Sequence, residues 1–409
     1  MHSILIIGKV WPEHKTTGAG VRMLQLIKYL IKNNYRITFA CTAQTSEQST
    51  NLTNLGVITE AITLNCDSFN TFIKELNPDI VVFDRFSTEE QFGWRVEEEL
   101  PNSLRVLDTE DLHFLRAARE KTFNHAGFPY TLDETLKTAL ELDITYREIA
   151  AMLRCDVNLV ISPFEIELLN SHFPIPSSQL YFLPIIPSGP SKNLSFSERK
   201  NFIFAGNFLH QPNKDAVRYL RSLWPQIKKQ LPEATLSIYG AYANESILQL
   251  SNSKIGFTVH GWVDDLNTEL AKSRLLIAPL RFGAGLKSKI LDAFNVGTPV
   301  ATTSIGSEGI ENQSDFGGII GNCNEDWLNS IVDIYQNEAL WKSENIKAQK
   351  TIETQFQGEE LEAFSSVLRA KFENLKQNRT THFLQKLLLH ETTKSSKYLS
   401  KWIMEKNKL

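Results

Sequence analysis

The chain has 409 residues, 42% hydrophobic and 22% charged, an ordinary globular make-up with length for about two domains, each with its own core. A formal charge of −4 gives no whole-molecule attraction to nucleic acid, and no apolar run approaches the roughly 20 residues of a membrane-spanning helix. Four scattered cysteines (Cys41, Cys66, Cys155, Cys323) form no CxxC pair, which argues against a zinc cluster or disulfide framework and suits a reducing compartment.

Residues 3–8 read as a first core strand. They lack the preceding basic region and small-residue cleavage site of a signal peptide, so a cytoplasmic location is expected. A long loop, 9–20, ends in Gly18, Ala19 and Gly20. Val21, Leu24, Ile27 and Leu30 then recur at helical spacing, and residues 37–41 form a second strand. This βαβ unit places Gly18 and Gly20 at the carboxyl end of its first strand, where open parallel sheets bind ligands; His14 and Lys15 in the same loop are candidate acceptor or phosphate contacts. Further strands are expected at 80–84, 104–108 and 157–162, with a charged helical region over 134–153. The 104–108 strand runs into Asp108, Thr109, Glu110, Asp111, Leu112 and His113. In that ionisable cluster Asp111 and His113 are the candidate functional side chains, although a lone histidine is more often structural.

Three prolines, a glycine and several serines in residues 184–200 suit an interdomain linker, and the α/β pattern then restarts. Strands are expected at 201–206, 234–240 and 257–260, with a helix over 215–231. Residues 275–279 form another buried strand, followed by a basic, glycine-rich turn: Arg281, Gly283, Gly285, Lys287 and Lys289. Ile290, Leu291 and Phe294 then share a helical face, Gly297 sits where a C-cap glycine belongs, and 299–303 form the next strand. Glycines admit an anion close to the backbone, a helix N-terminus offers unpaired N–H groups, and Lys or Arg adds full charge, so this βα turn has the chemistry to hold a phosphate. It is neither a Walker A loop, lacking the GK[ST] ending, nor a GxGxxG dinucleotide turn. A later loop with Gly306, Glu308 and Gly309 has amides and a carboxylate to offer a ligand.

Trp327, Ile331, Ile334 and Tyr335 suggest an amphipathic helix, and 351–375 a longer one. Residues 375–409 hold eight Lys/Arg against two Glu, with Phe383, Leu387, Leu388, Trp402 and Ile403. That composition suits a membrane-surface helix, a partner-binding helix, or a solvated helix packed on the body.

Three stretches together resemble the GT-B glycosyltransferases, specifically the retaining, metal-independent GT4 family. They are PLRxGAGxKxKILDA with GTPV in 279–300, FIFAGN with PNKDAV in 202–217, and CDVNLVIS with Glu165 in 155–165. The resemblance implies two Rossmann-like, doubly wound α/β domains facing a cleft. The expected bounds are 1–185 for the N-terminal acceptor side, 186–200 for a linker, 201–365 for the donor side, and 366–409 for a basic helical tail. The implied reaction transfers a sugar from a nucleotide-diphosphate donor to a glycan, lipid-linked or small-molecule acceptor, with no cofactor or metal and no nucleic-acid partner. In that reading Arg281 and Lys289 hold the diphosphate; Gly206, Asn207, Gly283, Gly285 and Lys287 line the donor; Asp292 accepts from ribose hydroxyls. Asp292 also suits a dipole-complementing acid early in a helix. Two departures stand out: the first of the family's paired glutamates is Ala284 here and the second is Asp292, and Asn207 replaces a frequent arginine. A degenerate nucleotide- or glycan-binding module and a nucleotide-sugar epimerase are the alternatives, and the basic tail leaves a peripheral position at the inner membrane face open.

Overall fold

The computed structural model describes residues 2–187, 194–310 and 315–406, with the side chains of 391–394 and 396 excepted. Contacts divide the chain into two compact units, one of Met1–Phe114, Leu142–Pro184 and Gly358–Leu409, the other of Leu115–Glu141 and Ile185–Gln357.

The first unit holds seven strands: β1 (Ser3–Gly8), β2 (Arg36–Cys41), β3 (Ile58–Ala61), β4 (Ile80–Asp84), β5 (Leu104–Glu110), β6 (Val157–Val160) and β7 (Leu180–Phe182). Their order is β3-β2-β1-β4-β5-β6-β7, every pairing parallel. The second unit holds six: β8 (Lys200–Ala205), β9 (Leu236–Tyr239), β10 (Phe257–Gly261), β11 (Ser273–Ala278), β12 (Val300–Thr302) and β13 (Gly318–Ile320), in the order β10-β9-β8-β11-β12-β13 and again all parallel. Helices cover both faces of such sheets, which is why the central strands read as unbroken apolar runs: β1, β4, β5 and β6 are buried along their whole length. Each sheet is Rossmann-like, as expected from strands alternating with helices.

Several bounds shift for local reasons. Gly18 and Gly20 lie in the first turn of the helix Gly18–Lys32, not in the preceding loop, because the Thr17 side chain caps the Gly20 amide at 2.9 Å. The helical region over 134–153 is two helices, Leu132–Leu140 and Asp143–Arg154, the first opened by a Thr131–Glu134 capping box. The expected long helix over 351–375 breaks between Gln355 and Glu359, where Gly358 adopts φ +86°. The expected linker partly coincides with residues 188–193, outside the described residues; its far end already belongs to the second unit, with a turn at Phe196–Glu198 and then β8.

The largest shift concerns the end of the chain. Residues from Gly358 onward return to the first unit, where Phe364, Leu368 and Leu375 complete the core formed by β1, β2 and the helix Gly18–Lys32. Tyr29 donates its hydroxyl to the Glu362 carbonyl at 2.8 Å, and Arg379 grips the buried Asp156 carboxylate with two bonds of 2.8 and 2.6 Å. Beyond it, the helix Phe383–Lys406 lies on the helices Phe86–Glu99 and Asp143–Arg154. Packing on the body, one of the three expectations for the tail, is thus seen on one face of this helix. Among the described residues no helix is long and apolar enough to cross a membrane.

Candidate functional site

In a doubly wound sheet the crossovers leave in opposite directions on either side of one strand pair, and the resulting crevice at the carboxyl ends is where ligands bind. In the second unit that pair is β8 and β11. After β8 the chain turns through Gly206 and Asn207 into the helix Gln211–Gln230, which Pro212 helps to start. The turn is drawn tight by Asn213, whose amide donates to the Asn207 carbonyl at 2.7 Å. Glycine is required beside it: a Cβ on Gly240 would lie 1.9 Å from the Gly206 carbonyl oxygen, and one on Gly206 would lie 2.8 Å from Lys289 Nζ. We therefore expect Gly240→Ala to push the β8 turn away and weaken any ligand held there by about tenfold or more, as a misplacement near 1 Å can do. Unchanged ligand affinity with an unchanged melting temperature would refute that.

The β11 turn delivers the charge. Gly283 (φ +143°) and Gly285 (φ +69°) carry the backbone through conformations that side-chain-bearing residues avoid. The helix Ser288–Asn295 follows, with no side chain capping its first amides. Lys287 donates back to the Gly285 carbonyl. Lys289 reaches across to the end of β8, where Nζ donates to Asn213 Oδ1 at 2.5 Å and stands 4.5 Å from the centre of the Phe204 ring. An amide oxygen and a ring face are its partners; no carboxylate pairs with it among the described residues. Burial, with a smaller contribution from Lys287, therefore pushes its ammonium group down to about 7. Asp292, one turn on, is half-buried by surface accessibility yet closely surrounded by protein, and burial pushes its carboxyl up to about 7. Each group thus resists ionisation until something compensates it.

The other expected ligand groups are engaged within the unit. Arg281 makes a two-pronged ion pair with Asp215 at 2.9 and 2.5 Å, and its guanidinium lies between the rings of Phe123 and Tyr219, 4.5 and 4.2 Å from their centres. Glu308 is held by Arg119, whose Nη1 and Nη2 donate to its two carboxylate oxygens at 2.6 and 2.5 Å, while Nη1 also donates to the Gly283 carbonyl at 2.8 Å. The region expected as an open loop at Gly306 is a short helix, Ser304–Ser307, capped by Thr303; a Cβ on Gly306 would lie 1.9 Å from Thr302 Oγ1. Arg119, Asp215 and Asn213 were not singled out from the sequence, because the partner of a charged side chain has no local signature. Among the described residues no group of three or more His, Cys, Asp or Glu is placed to hold a metal ion.

In the first unit the corresponding strand pair is β1 and β4. Arg22, buried in the first helix, pairs with Asp108 and donates to Glu110 Oε1 at 3.4 Å. Burial pushes Glu110 up to about 7, against the pull of Arg22. Arg85 and Glu110, each at the end of a strand, hold positive φ values of 72° and 55°, a strain common at binding sites. Asp108 Oδ2 and Arg22 Nη2 are buried and have no hydrogen-bond partner among the described residues. His113 lies 3.6 Å from Asp111 and edge-on to Phe86, and its backbone amide donates to Glu148, as does that of Phe114. His14 is held by the Thr50 hydroxyl at 2.7 Å, and Lys15 is exposed in the same loop. Gly20 has a packing reason of its own: a Cβ there would lie 2.4 Å from the Glu13 carbonyl oxygen.

Residues 199–337, the strand-and-turn region just described, match the family described as Glycosyl transferases group 1. No curated protein matches the chain. Among solved structures it is similar to TarM of S. aureus, determined with fondaparinux, alpha-GlcNAc-glycerol and UDP, at 10% identity and a TM-score of 0.68 over 90% of this chain and 100% of that one. The pneumococcal O-GlcNAc transferase GtfA, in complex with UDP and GlcNAc, matches at 12% identity and 0.65, over 90% and 99% of the two chains. Anabaena HepE, in complex with UDP and glucose, matches at 11% and 0.62, over 92% and 100%. At such identities the likeness is one of fold, and the fold is that of the GT-B glycosyltransferases, built from two Rossmann-like parallel-sheet domains.

Proposed function

We propose that the chain is a glycosyltransferase that moves a sugar from a nucleotide-diphosphate donor to an acceptor hydroxyl, with retention at the anomeric carbon, as the GT4 resemblance implies. The observation that carries this reading is Lys289: an amine drawn into the β8–β11 crevice with no counter-anion among the described residues, beside two glycine turns and a helix N-terminus that its N-cap side chain leaves uncapped. In the transfer the anomeric C–O bond to the diphosphate breaks, the diphosphate leaves with the electron pair, and the acceptor oxygen bonds to carbon as its proton departs. Negative charge grows on the leaving group, and a preorganised cation with aligned amides stabilises it. Lys289 takes the leaving-group role, supported by the amides after Gly285, and Asp292 accepts from the ribose hydroxyls. Arg281 keeps the β11 turn in shape through Asp215. The acceptor belongs to the strained, partly unsatisfied polar edge around Glu110 and His113 in the first unit, which is the supporting observation for that assignment.

The test is release of nucleoside diphosphate from a panel of UDP- and GDP-sugars, with and without glycan, lipid-linked and small-molecule acceptors. Acceptor-dependent release is expected, together with stabilisation of the protein by the nucleotide alone. A second reading, a nucleotide-sugar-binding module without transfer, is favoured by Ala284 in place of the glutamate and by the internal engagement of Arg281 and Glu308. Stabilisation by nucleotide without release under any acceptor would select it; turnover of the donor with no acceptor present would select the epimerase.

A further inference from the structure

The helix Phe383–Lys406 has two faces of different character. Its inner face is committed to the first unit: Gln385 donates to the Arg154 carbonyl at 3.2 Å and to Asp156 at 2.9 Å, Ser400 lies 3.3 Å from Arg95, and Lys397 pairs with Glu98 at 2.6 Å. On the outer face stand Phe383, Leu387, Tyr398 and Trp402, with relative exposures of 72, 46, 66 and 61%. Successive residues advance by about 100° around a helix, so these four fall within one stripe about a quarter-turn wide and about 28 Å long. Lys386 and Lys401 are exposed at its edge.

We propose that this stripe docks the protein on a bilayer carrying anionic lipid headgroups, with the helix lying in the plane of the interface. Exposed aromatic and leucine side chains flanked by lysine are the composition that buries its apolar face at the acyl boundary and leaves ammonium groups at the headgroups; Tyr and Trp suit that boundary because each joins an apolar ring to a polar tip. Charge disfavours pairing with the same stripe of a second copy, since two such basic helices repel, and favours an anionic surface. Residues 375–409 carry eight Lys/Arg and two Glu, a net +6, which leaves −10 for residues 1–374. An anionic surface therefore attracts this helix while repelling the rest, and so orients the molecule.

Co-sedimentation of the full chain with vesicles tests this, comparing pure phosphatidylcholine with an equal mixture of phosphatidylcholine and phosphatidylglycerol. Binding to the mixed vesicles alone is expected. It should fall about tenfold or more in Phe383→Ser/Trp402→Ser and, separately, in Lys386→Glu/Lys401→Glu, with melting temperatures unchanged because all four residues face solvent. Failure to bind either vesicle, or binding unaffected by both double variants, overturns the proposal. Self-association abolished by the apolar pair, without vesicle binding, overturns it in favour of a second copy of the chain.

Discussion

Replacing Lys289 by methionine is expected to lower donor kcat/KM by about a hundredfold or more, the usual cost of removing one preorganised donor from a developing negative charge. The same change should not destabilise the protein, since it removes a half-buried amine whose partners are an amide and a ring, with no carboxylate among the described residues. The pH dependence follows from the direction of the shift. Burial holds Lys289 near 7 in the folded chain against an ordinary value of 10.5, so between those values the unfolded chain binds the extra proton. Stability contributed by this group therefore rises with pH through that window, and below it the full penalty of charging the buried amine applies. Diphosphate binding works in the opposite sense, because it favours the ammonium form. Affinity should be greatest below pH 7 and fall above it, with proton uptake at pH 8. Calorimetry in buffers of different ionisation enthalpy reads that proton directly. Wild-type uptake with none in Lys289→Met is the expected pair of results, and equal uptake or equal turnover in both would remove Lys289 from the site.

The largest loss of stability is expected from Arg119→Met. The Arg119 side chain is 2% exposed and that of Glu308 13%, so the variant strands a carboxylate that the fold has already desolvated. Breaking one partner out of a buried pair costs about 3–5 kcal/mol, which for a unit of this size corresponds to a fall in melting temperature on the order of 10 °C. The Gly283 carbonyl also loses its Arg119 donor, so the β11 turn should loosen with it. Pairing the change with Glu308→Gln removes the stranded charge, and the double variant should recover part of the loss. A melting temperature unmoved by Arg119→Met, or a double variant worse than the sum of its parts, would contradict this account.

Most strands and the β11 glycine turn were legible in the sequence because each depends on residues close in the chain, whereas the short edge strands β3, β7 and β13 were not. Parallel strands covered on both faces must be apolar throughout, as residues 3–8 and 275–279 are. The turn before the helix Ser288–Asn295 needs positive-φ backbone, which Gly283 and Gly285 supply, and the exit just past the helix end needs it again, which Gly297 supplies at φ +69°. Charged partners follow a different rule. Arg281 meets Asp215 across 66 residues and Arg119 meets Glu308 across 189, and no periodicity encodes either meeting. A solvated loop charge and a buried clamp look alike in sequence, so two groups expected to face a ligand are instead tied to the protein. Lys289 was legible as a cation at a helix start, but its reach to Asn213 and Phe204 required the fold. The helical periodicity of 351–375 likewise concealed a break at Gly358 and the return of the chain to the first unit.

That return has a consequence for the order of assembly. The first unit takes its core from β1 and β2 at one end of the sequence and from Phe364, Leu368 and Leu375 near the other. The second unit is complete once Gln357 has been added. Domains generally fold as they leave the ribosome, N-terminal ones first. Here that order is inverted: β1 is synthesised first, yet its unit must wait, with Tyr29 and Tyr35 lacking their partners Glu362 and Ser365, until the whole second unit has emerged. A chain released at Gln357 would carry every residue of the β8–β11 crevice and leave the older half of the protein unfinished.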